Sequence, residues 1–151
     1  MKQHLRDVLI VAAVVAAAGA VFAQTAQSKP NFSGRWVPSP KVDGASEMEI
    51  KQDATTISIG HEMGEGHDPH RNVYKLDGSE TKQPNPAHPE ITDVSKASWD
   101  GNRLVIVNTF PTGVQQTIVL WLDQAGLLVT EVTLTGPGRE PEMHKASYKK
   151  M

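Results

Sequence analysis

From Gly34 onward, turn residues cut the chain into segments too short for helices, and several of them alternate apolar with polar side chains. Along residues 46–52, Met48 and Ile50 fall on one side, and Glu47, Glu49 and Lys51 on the other. Ile57 and Ile59 repeat the pattern in residues 55–60. A period of two puts one face of a strand in a core and the other in water. Pro38-Ser39-Pro40, Asp53, Asp77-Gly78, Asp100-Gly101-Asn102, Pro111-Thr112-Gly113, Asp123-Gln124-Ala125-Gly126 and Gly136-Pro137-Gly138 supply the turns. The spacing predicts strands over 34–37, 46–52, 55–60, 72–76, 94–99, 103–110, 115–122, 127–134 and 143–149. Turn signals every ~8–12 residues mark an all-β sandwich or barrel. Residues 79–90 contain Pro84, Pro86 and Pro89 and read as neither helix nor central strand, because proline donates no ladder hydrogen bond.

Hairpins that follow one another in sequence make an up-and-down antiparallel meander. Closing such a meander removes edges that would otherwise pair with other chains. Two strands are apolar on both faces. Leu104, Ile106 and Phe110 oppose Val105 and Val107, while Ile118, Leu120 and Leu122 oppose Val119 and Trp121. That pattern belongs to strands covered on both sides.

Residues 1–23 read as a helical signal peptide. Lys2, His4 and Arg6 precede an apolar run over 8–23, shorter than the ~20 residues a membrane span requires. Small residues at Val21 and Ala23, before polar Gln24, fit cleavage after Ala23. Residues 24–30 form a polar, disordered lead-in. Residues 31–151 form one β domain, long enough to bury a core. The expected location is periplasmic or secreted, with no stable membrane anchor once the leader is removed. The chain has no cysteine, so it forms no disulfide and cannot be acylated on a cysteine. Its net charge is −2 and no basic stripe appears, which argues against nucleic acid as a partner. The reading is a monomer.

Phe32-Ser33-Gly34-Arg35-Trp36, Leu76-Asp77-Gly78-Ser79-Glu80 and Trp99-Asp100-Gly101-Asn102-Arg103-Leu104 form an ordered series. Trp121-Leu122-Asp123 and the closing Tyr148-Lys149 extend it. On these motifs the chain resembles small exported bacterial lipocalin-like (calycin-type) proteins. The resemblance implies a small antiparallel barrel of about eight or nine strands. It also implies that the tryptophan of Gly34-x-Trp36 packs across the closed end. The Thr-Asp-Tyr turn of true lipocalins and the two-helix lid of fatty-acid-binding barrels are not evident. A barrel this small is either filled by its own side chains or holds one small ligand.

Polar chemistry is concentrated in residues 60–70, where His61, His67 and His70 are interleaved with Glu62, Glu65 and Asp68. Such groups suit zinc or copper. Their spacing is not H-E-x-x-H, and a solvated loop is the competing reading. His88 could join such a site. No Gly-x-Ser-x-Gly elbow is present, and thiol catalysis is excluded. Tyr74, Trp99, Phe110, Trp121 and Tyr148 are the candidates to line an apolar ligand pocket. Trp36, Trp99 and Trp121 equally suit a structural core, and Trp99, directly before a turn, would cap one barrel end. Lys96 is expected to face water. The resulting expectation is an exported, non-catalytic protein that binds a small, partly apolar molecule in the barrel mouth, without a cofactor. The alternatives are a metal-binding protein using His61, His67 and His70, or an envelope interaction module with a filled barrel.

Overall fold

The structure, a computed structural model, describes residues 28–41, 46–61, 70–85 and 88–151. The expected signal peptide, residues 24–27 of the lead-in and His67 lie outside the described residues. Among the described residues there are ten strands: β1 (Gly34–Pro38), β2 (Met48–Gln52), β3 (Thr56–His61), β4 (His70–Lys75), β5 (Glu80–Pro84), β6 (Thr92–Asp100), β7 (Arg103–Thr109), β8 (Gln115–Leu122), β9 (Leu128–Gly136) and β10 (Arg139–Lys150). No helix occurs among the described residues. The strands form one antiparallel sheet in the order β4-β3-β2-β1-β10-β9-β8-β7-β6-β5, a meander joined first strand to last through β1 and β10.

The sheet curls into a nearly closed barrel, with its free edges β4 and β5 side by side. Main-chain ladder bonds stop there and side chains take over. The Val73 amide donates to Gln83 Oε1 at 2.9 Å, and the Lys75 amide donates to Thr81 Oγ1 at 3.2 Å. These bonds occupy edge groups that would otherwise stay open to another strand.

The count corrects the expected eight or nine strands. The added element is β5, inside the proline-bearing stretch. Its last residue is Pro84, at the sheet edge, where a missing N–H costs no ladder bond. The hairpin between β6 and β7 forms as expected around a two-residue loop. Asp100 pairs with Arg103, and the loop residues are Gly101 and Asn102. Gly101 alone takes a positive φ, 59°, so the glycine rather than the aspartate meets the turn's demand.

Register sorts the side chains. Trp36, Met48, Ile57, Ile59, Tyr74, Ala97, Leu104, Ile106, Leu120 and Leu128 point inward and are buried. One end of the interior is plugged. Phe32, arriving before β1, is fully buried and stacks on Trp99 with ring centroids 5.9 Å apart. Trp36 Nε1 donates to the Phe32 carbonyl at 2.9 Å, which satisfies the one polar atom of a buried indole. Gly34 has a φ of +143°, unfavourable for any residue with a Cβ, and a Cβ there would come within 2.5 Å of the Lys150 side chain. The Lys150 ammonium lies 5.5 Å from the Trp36 ring centroid, so Gly34 and Trp36 together seat the last strand.

Candidate functional site

Away from the plugged end the interior opens into two adjoining cavities. The larger, about 290 Å³, has Met48, Ile59, Ile118, Leu120 and Val132 as its aliphatic wall. Tyr74, Tyr148, Thr130, Asn72, Gln116 and His61 supply its polar groups. The smaller, about 180 Å³, lies nearer the rim beside the β4–β5 seam, and most of the residues lining it carry polar groups. Asp93, Ser95, Asn108, Gln83, Asn85 and His70 line it, together with Phe110 and Pro84. Asn72, Tyr74 and Gln116 line both cavities and form the partition between them.

These positions follow from strand parity. On β8, Gln116, Ile118 and Leu120 face inward, and on β4, His70, Asn72 and Tyr74 do. Inward side chains change from aliphatic to amide, hydroxyl and carboxylate as the strands approach the rim. Burying polar groups is tolerated when they find partners. Asn108 Nδ2 donates to Gln116 Oε1 at 2.9 Å, and Asn85 Nδ2 donates to Asp93 Oδ2 at 2.9 Å.

The phenols respond to this setting. Burial raises the Tyr74 pKa above its usual 10.0. Hydrogen bonds from Asn108 and Asn72 oppose the rise, and the nearby charge of Asp93 adds to it. Burial likewise raises Tyr148, opposed by a hydrogen bond with Thr130. Both phenols therefore stay protonated and can donate as well as accept. His61, paired across the ladder with His70, keeps part of its surface in water. Desolvation of its ring, and then the proximity of His70, lowers its pKa from 6.5.

Of the residues the sequence singled out for ligand contact, the structure brings Tyr74, Tyr148 and Phe110 to the cavities and sets Trp99 and Trp121 apart. Trp99 is inward but belongs to the plug. Trp121 has the opposite parity from Leu120 and lies outside the barrel between two cations, with Arg103 4.6 Å and Lys145 5.0 Å from its ring centroid. Lys96 is exposed and faces Glu80 on the outer surface at 3.5 Å. His61 and His70 line different cavities. No group of three or more His, Cys, Asp or Glu side chains suited to a metal occurs among the described residues. His70, Asp93 and Ser95 share the smaller cavity, but no hydrogen bond among the described residues links His70 to either partner as a catalytic relay requires.

Sequence reasoning missed Asp93, Ser95, Asn108 and Gln116. Ser95 and Asn108 are buried polar residues on strands that otherwise turn apolar side chains inward. A polar residue at an inward position of a strand was the available signal.

Neither a protein-family model nor a curated protein matches the sequence. Solved structures do match the fold. Human cRBP IV aligns with a TM-score of 0.55 at 15% identity, over 81% of this chain and 99% of that one. A structure described as "REP1-NXSQ fatty acid transporter" aligns at 0.55 and 13% identity, over 79% and 95%. Secretory abundant heat soluble protein 4 from Ramazzottius varieornatus aligns at 0.56 and 13% identity, over 83% and 99%. The fold is thus that of lipocalin-like and fatty-acid-binding-like barrels.

Proposed function

We propose that this protein is an exported, non-catalytic carrier that takes a small, partly apolar molecule into its barrel. The cavity of about 290 Å³ carries the proposal. Its volume lies near the lower end of the ~300–1,000 Å³ usual for ligand pockets, and its aliphatic wall with a few polar groups has their usual character. Tyr74 lies at the partition, where it can orient the ligand's polar end. One structural neighbour is described as a fatty acid transporter, in keeping with a small lipophilic cargo. Export rests on the leader pattern of residues 1–23. The cavity weighs against the filled-barrel alternative.

The test is native mass spectrometry of protein purified from its own host, together with titration by a neutral solvatochromic dye such as Nile red. A co-purifying small organic molecule, or saturable dye binding lost in Ile118→Trp, is the expected result. The tryptophan would occupy the larger cavity, and a normal melting curve would confirm that the barrel persists. Absence of both a co-purifying molecule and saturable dye binding overturns the proposal.

A further inference from the structure

The smaller cavity holds an imbalance of hydrogen-bonding groups. Asp93 Oδ2 is engaged by Asn85, but Asp93 Oδ1 is buried without a hydrogen bond. Asn108 is 6% exposed; its Nδ2 is spent on Gln116, and its Oδ1 is likewise buried without a partner. Gln83, opposite Asp93 in the ladder, spends its Oε1 on the Val73 amide. Two acceptors of one cavity therefore lack donors. Buried polar atoms are nearly always paired, and an unpaired one calls for an explanation.

The charge points the same way. Among the described residues, neither cavity is lined by lysine or arginine. The acid lining the smaller cavity is Asp93, and the other titratable groups lining the two cavities are His61, His70, Tyr74 and Tyr148. A ligand carboxylate entering here would leave both acceptors unpaired and bring a second negative charge to Asp93. A hydroxyl could satisfy one acceptor but not the charge. A primary ammonium brings three donors and the opposite charge, and charge-assisted hydrogen bonds are about twice as strong as neutral ones. The partition shared by the two cavities lets the tail of the same molecule lie along Ile118 and Leu120.

We propose that the carried molecule bears a protonated amine at its polar end, and that Asp93, assisted by Asn108, holds that amine in the smaller cavity. The inference rests on the carrier reading and names the ligand class for the same interior.

The experiment measures displacement of Nile red from the purified protein near neutral pH by decylamine, decanol and decanoate, which share a tail and differ in the head. Decylamine should bind about tenfold or more tightly than decanoate, with decanol between them. Asp93→Asn should lower decylamine affinity about tenfold while leaving decanol nearly unchanged. Equal affinities for all three, or preference for decanoate, overturn the amine assignment even though the carrier reading survives. Binding of Nile red without displacement by any of the three also overturns it. If Nile red does not bind and no small molecule co-purifies, the carrier reading fails as well. The three-ligand comparison on the unaltered protein decides the matter even where Asp93→Asn fails to fold.

Discussion

The two ends of the barrel interior are built from different chemistry. At the plugged end, aromatic rings and aliphatic side chains fill the space, and the polar atom of Trp36 bonds to the Phe32 carbonyl. Toward the rim, inward positions carry Asn72, Asp93, Ser95, Asn108 and Gln116, and cavities of about 290 and 180 Å³ remain. Dispersion contacts in the first region stabilise the fold. In the second, buried acceptors without partners reduce stability, and a bound donor would offset that cost. Space remains only where side chains do not fill the barrel, because a side chain that fills a cavity excludes a guest.

Mutations can break that comparison. The largest expected effect is Trp36→Ala, which should cost about 3–5 kcal/mol in chemical denaturation, since it removes a buried indole and leaves the Phe32 carbonyl unpaired. A loss under about 1 kcal/mol would mean that the plug does not anchor the fold. A matched pair comes next. Leu104→Ala, at a fully buried position, should cost about 2–5 kcal/mol. Ile118→Ala, at a half-buried position beside an existing cavity, should cost clearly less. Equal losses at the two sites would erase the distinction between the ends.

Smaller effects sharpen the picture at the rim and seam. Gln83→Ala removes the side-chain acceptor of the Val73 amide and should cost about 0.5–1.5 kcal/mol. Hydrogen exchange at the Val73 amide should accelerate while that at Ile106 does not. Unchanged protection at Val73 would show that the seam is held by other contacts. The smallest effect is His61, whose pKa should fall below 6.5 in an NMR titration. Because the folded pKa is depressed, the stability present above pH 6.5 is progressively lost as pH falls toward the folded value, where the unfolded chain binds the extra proton. His61→Gln should remove that contribution to the slope, and a His61 midpoint at or above 6.5 would contradict the desolvation of its ring and the influence of His70.

Much of the architecture was legible because alternation and turn chemistry act locally. Met48 and Ile50 against Glu49 and Lys51 define a two-faced strand without reference to anything distant, and Asp100-Gly101-Asn102 marks its hairpin. β5 escaped notice because Pro84, with Pro86 and Pro89 just beyond it, signals an interruption, and whether a proline is tolerated depends on having no neighbour on one side. The candidate site was less legible. Tyr74, Tyr148 and Phe110 stood out as aromatic, but aromatic identity alone did not separate Trp121 on the outer surface from Tyr148 on the inner one. Asp93 and Asn108 looked like ordinary polar residues of a strand.

By itself, the sequence determined the antiparallel strands, their hairpins and the wall of apolar side chains, because propensity, alternation and turn geometry operate over a few neighbouring residues. The tertiary structure decided which face of each strand turned inward, where β4 met β5, and that Asp93 and Asn108 converged on one cavity with acceptors unpaired. Those outcomes depend on barrel closure and on register between strands far apart in the chain. Closure also left the space that the aromatic plug does not fill.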